Sequence, residues 1–221
     1  MQSFLSFIFL LVTVTASLPR DWMRLSDTPQ ERATALLSQM NLTQKVTLLH
    51  GVNSPGYTGA TNPVPELGIP ALTLNDGRQG FRPNSGSKTN TAFPCAVQVA
   101  ATFDRTLMHE FGVAMAEEFV CKGSNVMLAP MLILARVPLD GRIFESIGAD
   151  PELGYAFAYN MITGAQSIQG LIANADDYVL NNQESDRTGI SAVCDERTLF
   201  ELYYRAYKGA VDANVGSFMV S

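Results

Sequence analysis

Apolar residues recur along this chain at two spacings, and the changes from one to the other predict helices and strands in turn. Thr28-Pro29-Gln30-Glu31 reads as a capping box with proline at the first helical position, so a helix is expected to run to about Met40. Asn41 can cap a second helix through Val46 and Leu49 that Gly51 ends, and a Pro/Gly-rich loop then extends through Pro65. Pro70 to Asn75 reads as a short buried strand stopping at Asp76-Gly77. Asp104 opens a helix whose apolar residues are Leu107, Met108, Phe111, Met115 and Phe119; Gly123 closes it, and Val126 to Leu128 form the next strand. Asp150-Pro151 opens another helix, closed near Gly170. Leu171-Ile172-Ala173 begins a third strand, Asp195 caps a helix carrying Leu199, Leu202, Tyr203 and Ala206, and Ser217 to Val220 start a fourth strand.

Four strands alternating with three helices imply an α/β fold with right-handed crossovers and a parallel sheet, either doubly wound or barrel-forming. A barrel needs about eight strands to close, and Ser221 falls within the fourth, so the expectation is an N-terminal portion of such a domain. The first residues stand apart. Phe4 to Val14 is an apolar run too short to span a bilayer comfortably, and Thr15, Ala16 and Ser17 follow it. A signal peptide over 1–17 is expected, cleaved after Ala16 or Ser17, leaving one incomplete domain over 18–221 that is secreted and free of the membrane. The sequon Asn41-Leu42-Thr43 fits that compartment and makes Asn41 a candidate glycosylation site.

Composition narrows the partners. The 221 residues are 47% hydrophobic and 16% charged, a globular balance, and 15 basic against 21 acidic residues give a net charge of −6. Duplex nucleic acid needs a basic face to displace counterions, so no nucleic-acid partner is expected. Cys95, Cys121 and Cys194 are too widely spaced for a zinc signature and are expected to be buried thiols. With His50 and His109 as the two histidines, no metal site is predicted.

In parallel β/α folds the chemistry sits at the carboxyl ends of strands, and three loops qualify. In Asn75-Asp76-Gly77-Arg78-Gln79-Gly80-Phe81-Arg82, a carboxylate can accept two neighbouring sugar hydroxyls while a guanidinium donates in a planar fork; the alternative is a surface Asp-Gly turn beside an unrelated Arg. The stretch from Arg136 to Glu145 holds Arg142 between Gly141 and Ile143, in a loop that can equally be a set of solvated charges. Asp176 and Asp177 invite reading as an acid/base pair. On an extended segment, however, adjacent side chains are expected to point to opposite faces, not across one substrate.

Taken in order, the words Leu-Gly-Ile-Pro70, Asn75-Asp-Gly-x-x-Gly-Phe-Arg82, Phe93-Pro94, Ala100-Ala-Thr-Phe-Asp104, Lys122-Gly-x-Asn125-Val, Ala135-Arg-Val-Pro138, Gly141-Arg-x-Phe-Glu145, Asp150-Pro151, Asn182-Gln-Glu184 and Asp195-Glu-Arg197 resemble the N-terminal domain of family 3 glycoside hydrolases, notably secreted β-glucosidases. The resemblance covers about residues 28 to 221. It implies a TIM-like barrel followed by an α/β sandwich, hydrolysis of β-linked glucosides or xylosides with retention, a β-glucoside or oligosaccharide as substrate, and no cofactor. It also implies that Asp76, Arg82 and Arg142 hold the sugar, while the nucleophile and the acid/base lie outside these residues, so that no catalytic carboxylate is assigned here. A non-catalytic carbohydrate-binding or interaction remnant, or a gene fragment, is the alternative.

The departures from the family pattern are polar. Asp176-Asp177 stands where Lys-His usually holds sugar hydroxyls, which places both residues at the substrate and makes the pocket more negative. Two carboxylates added near Asp76 repel by about 1 to 4 kcal/mol per close pair unless a proton is taken up. Arg78 replaces a usual Pro, Ala129 a Gly, Ile133 and Ile143 Asn residues, and Ala149 a Glu.

Overall fold

A computed structural model describes residues 21–82 and 89–221; the predicted signal segment 1–17 lies outside the described residues. Helix α1 (Pro29–Gln39) starts on the reciprocal box expected of it: Thr28 N donates to Glu31 Oε2 at 2.8 Å, and Glu31 N donates to Thr28 Oγ1 at 3.3 Å. Helix α2 (Leu42–Thr47) repeats the device with Asn41 and Gln44.

Strands β1 (Gly51–Val52) and β2 (Gly59–Thr61) come next, paired antiparallel with each other, and β2 is antiparallel to β3 (Thr73–Asp76). They correct the reading of this stretch as a loop through Pro65. Strands of two and three residues, built around glycine, carry no alternation for a sequence pattern to register.

Helix α3 (Ala96–Ala100), also unforeseen, precedes α4 (Arg105–Cys121), and β4 (Val126–Met131), α5 (Pro151–Gln166) and β5 (Ile172–Tyr178) follow. Both long helices begin on an aspartate. Asp104 Oδ1 accepts from the N–H groups of Thr106 and Leu107 at 2.8 and 3.1 Å, and Asp150 Oδ1 does the same for Glu152 and Leu153. After Asp195 the chain runs through α6 (Glu196–Thr198), a π-helical stretch at Leu199–Tyr203 and α7 (Tyr204–Asp212) into β6 (Ser217–Val220).

The six strands lie in chain order in one sheet, with β3 to β6 all parallel, in register through Leu74 and Val126, Val126 and Ile172, and Asn174 and Ser217. This is part of a TIM-like barrel, the one of the two parallel architectures left open by the alternation of elements that the family resemblance implies. Behind the sheet, α4, α5 and α7 bury Phe111, Met115, Phe119, Phe157, Met161 and Ile162 in one core with Met127 and Ala173.

Glycine allows those helices to meet backbone to backbone. A Cβ built at Gly112 would overlap the carbonyl oxygen of Met161, one at Gly164 that of His109, and one at Gly209 that of Tyr155. Gly164→Ala is therefore expected to cost about 1–3 kcal/mol, the usual range for overpacking. Urea titration checks this against Gly59→Ala, where nothing lies within 4 Å of the added methyl and little change is expected.

The cysteines are all unbridged thiols, as expected, but not buried ones: Cys121 is exposed and Cys95 and Cys194 are half-buried. The buried face of α4 runs through Met108, Phe111, Met115 and Phe119, and Cys121 lies about 200° round the helix from Phe119. Cys95 and Cys194 occupy helix starts, where the chain is still outside the core.

Candidate functional site

Asp76 is the last residue of β3, and Arg82 returns to it from the far end of the loop, Nη1 donating to Asp76 Oδ2 at 2.7 Å. The loop between them is closed by backbone. Arg82 N donates to Asp76 O at 3.0 Å, and the Asn75 side chain donates to Arg82 O at 2.6 Å. Asn75 is itself fully buried and accepts from Thr58 N and Oγ1 at 3.2 and 3.1 Å, so the loop is tied back to the segment before β2. Gly80 adopts φ +108°, and any Cβ there would press on the Thr91 carbonyl, which explains glycine at this turn.

Beside the loop lies a cavity of about 330 Å³ lined by Asp76, Arg78, Arg82, Asn90, Phe144 and Glu145, among others. A larger one, about 620 Å³, is walled mainly by aromatic residues of α7, β6 and the end of β5 and has no carboxylate in its lining. A third, about 590 Å³, is polar and lined by Arg136, Asn182, Gln183 and Asp195, among others, away from the strand-end loop; the smaller cavity is the one that joins carboxylate and guanidinium groups at the carboxyl end of a strand.

The floor beneath it is an ion network. Arg78 places Nε and Nη2 at 3.1 and 3.0 Å from Asp176 Oδ2, and Nη1 at 2.9 Å from Glu145 Oε2. Its Nη2 is also 3.9 Å from Asp177 Oδ1. Arg142 approaches the same carboxylates from the other side, with Nε and Nη2 each 3.2 Å from a Glu145 oxygen and Nη1 at 3.1 Å from Asp177 Oδ2. That last contact is electrostatic, without hydrogen-bond geometry, and Asp176 Oδ1 likewise has no hydrogen-bond partner.

This geometry corrects the expectation that Asp176 and Asp177 point to opposite faces. Asp177 takes φ +63°, and the pairing of β5 with β6 is irregular after Ala175, so strand alternation fails where the two aspartates sit. Both carboxylates converge on Arg78. Neither lines the cavity, because both lie buried beneath that arginine. Arg142 is placed similarly, its guanidinium committed to Glu145 and Asp177 and absent from the cavity lining. Of the five residues expected to touch substrate, Asp76 and Arg82 reach the cavity together.

Arg78 and Glu145 were missed as site residues. The one available signal was charge: an arginine appears in the loop after β3 in the same sequence that carries two unexpected aspartates at the end of β5.

Burial, more than charge, shows in the protonation of the floor. Burial pushes the Asp176 carboxyl up to about 7, and Asp177 and Asp76 add to that, while the charge and hydrogen bond of Arg78 pull the other way. Burial opposes the charge on Arg142, but the Glu145 hydrogen bond and the charges of Asp177, Glu145 and Glu184 outweigh it and raise its pKa. Tyr207 on α7 donates to the carbonyls of Asp177 and Asp176 at 2.6 and 3.2 Å, and burial followed by those two charges holds its phenol well above the ordinary value. Among the described residues, no group of three or more His, Cys, Asp or Glu side chains is arranged to hold a metal.

A sequence profile of the glycosyl hydrolase family 3 N-terminal domain matches residues 36–221. "Probable beta-glucosidase A" of Aspergillus terreus is 40% identical over 207 residues, covering 86% of this chain and 24% of that protein. "Probable beta-glucosidase F" of Emericella nidulans is 41% identical over 200 residues, covering 86% and 23%. The chain thus spans about a quarter of the length of the curated relatives it matches. Among solved structures, β-glucosidase 3B from Thermotoga neapolitana in complex with glucose superposes with a TM-score of 0.79 at 38% identity, covering 85% of this chain and 28% of that one. DesR, a β-glucosidase from Streptomyces venezuelae in complex with D-glucose, gives 0.81 at 35% identity, with 86% and 24% covered.

Proposed function

Because the chain belongs to glycosyl hydrolase family 3 through its N-terminal domain, we propose that it supplies the sugar-holding half of a retaining β-glucosidase, gripping the terminal non-reducing glucose of a β-glucoside or oligosaccharide. The observation that carries this reading is the Asp76–Arg82 pair at a strand end, 2.7 Å apart on the rim of the cavity.

An ionised carboxylate accepts from two adjacent hydroxyls of a pyranose, and the Arg82 nitrogens not spent on Asp76 donate to a third oxygen. Together they fix the ring and therefore the anomeric carbon, so that the reaction begins from an aligned complex. Retaining hydrolysis also needs two carboxyl groups about 5–5.5 Å apart across the glycosidic bond. Asp76 is held by Arg82, Glu145 by Arg78 and Arg142, and Asp176 and Asp177 lie buried beneath arginines, so these carboxylates hold and neutralise side chains instead. Hydrolysis in the whole protein would draw its nucleophile and acid/base from beyond these residues.

Arg142, expected from the family words to touch sugar, acts in this reading as the counter-ion that keeps Glu145 and Asp177 buried. Glucose added to the chain is expected to perturb the NMR signals of Gly77, Gly80 and Arg82. In Asp76→Ala its affinity should fall by about 10- to 100-fold, the cost of losing one or two hydrogen bonds to a charged group. Unchanged affinity in that variant would refute the placement of the sugar.

The commitment of Asp176 and Asp177 to arginines favours a second reading, a non-catalytic carbohydrate-binding protein. Turnover of an aryl β-glucoside by the full-length protein separates the two.

Secretion is part of the proposal. Among the described residues no helix is long and apolar enough to cross a membrane. Asn41 is exposed, and its Oδ1 caps α2 while Nδ2 stays available for a glycan. Expression through a eukaryotic secretory pathway should give an endoglycosidase-sensitive species that Asn41→Gln removes; equal mobility of the two would count against glycosylation there.

A further inference from the structure

Arg78 occupies the middle of the loop whose two ends carry the clamp, two residues after Asp76 and four before Arg82. Each of its guanidinium nitrogens is engaged, Nε and Nη2 by Asp176 and Nη1 by Glu145. Asp176 lies 98 residues further along the chain, at the end of a different strand. The clamp needs such an anchor. The Arg82 side chain is 69% exposed, Gln79 reaches the Phe144 carbonyl and Phe81 packs on Phe119, so the ion pair of Arg78 with Asp176 is the tie from this loop to β5.

We infer that Arg78 is a positioning residue for the sugar clamp: it bolts the loop carrying Asp76 and Arg82 to Asp176 at the end of β5, and the bolt is tight when Asp176 is ionised. The inference rests on the proposed sugar-binding role of Asp76 and Arg82. An ionised Asp176 gives Arg78 a charge-assisted, two-nitrogen contact, whereas a protonated one leaves a neutral acceptor and returns Arg78 to Glu145 alone.

The charged and titratable groups facing Asp176 are Arg78 and Asp76 from the β3 end, Glu145 and Arg142 from the following loop, Asp177 beside it and Tyr207 from α7. Three carboxylates of this floor, Glu145, Asp176 and Asp177, face two arginines, Arg78 and Arg142. The surplus acid is the one that takes up a proton near neutrality, burial being the main cause. The clamp therefore tightens as pH rises through about 7.

Two readouts test this on the chain itself. The first is the affinity for glucose as a function of pH. It is expected to rise at least about fivefold between about pH 5.5 and 8.5, the lower end of ordinary site-to-site coupling, and to lose that dependence in Asp176→Asn, which keeps the weaker value. The second needs no sugar: the amide signals of residues 77–82 should titrate with the same midpoint as the Asp176 carboxyl carbon, and stop doing so in Asp176→Asn. Arg78→Lys, which keeps the charge but loses the fork, should retain the midpoint with a smaller change in affinity.

Loop amides that ignore the Asp176 titration, or a pH dependence of glucose binding that survives Asp176→Asn, would overturn the inference. Absence of glucose binding at every pH would instead defeat the proposed function, and the sugar-free titration would still decide the role of Arg78.

Discussion

Arg142→Met is expected to destabilise the folded chain by about 3–5 kcal/mol, the usual consequence of stripping one partner from a buried ion pair. Methionine keeps most of the volume, so the loss is one of charge. The guanidinium sits 3.2 Å from both oxygens of Glu145 and 3.1 Å from Asp177, with a side chain only 10% exposed. Without it, Glu145 retains Arg78, but Asp177 keeps only the 3.9 Å contact with the same arginine. Urea unfolding followed by circular dichroism gives the number, with the slope expected to stay unchanged. Arg187→Met is the control, since that side chain is 48% exposed and 3.6 Å from Glu184, a pair expected to contribute well under about 1 kcal/mol. A loss at Arg142 no larger than at Arg187 would show that the network is not what holds these loops.

The second large effect is on the pH dependence of stability, and its direction is set by Asp176. Its carboxyl titrates at about 7 in the folded chain against an ordinary value of 3.8. Between those values the folded state keeps a proton that the unfolded state has released, so this group's contribution to stability is complete below about 4 and is lost as pH rises through 7. The rise corresponds to about 4 kcal/mol as an order of magnitude. Asp176→Asn removes the titrating group, so the difference in stability between variant and wild type should move in favour of the variant by that order between about pH 4 and 8. Parallel stability curves for the two proteins would mean that Asp176 is ionised in the fold at all these values.

Local signals made much of the fold legible. Thr28, Asp104 and Asp150 announce their helices because a cap acts on backbone groups two and three residues away, and that reach is visible in sequence. Strands β3 to β6 follow from apolar runs between helices. β1 and β2 escape because two or three residues cannot display a period. The π-helical stretch at Leu199–Tyr203 has no counterpart in an apolar pattern that fits an ordinary helix equally well.

The site divides the same way. Asp76 and Arg82 are six residues apart in one loop and were read together. Arg78 and Asp176 meet across the sheet, so neither announces the other, and the left-handed turn at Asp177 that swings its carboxylate round belongs to a residue type that tolerates it without requiring it.

The close crossings of α4, α5 and α7 at Gly112, Gly164 and Gly209 bear on how such a site can change at all. Helices locked carbonyl against glycine cannot slide past one another, so the strands they support keep their stations whatever stands at the open rim. Side chains at positions 78, 176 and 177 can then gain or reverse charge as an optician swaps lenses in a rigid frame: focus alters, while the mounting stays put.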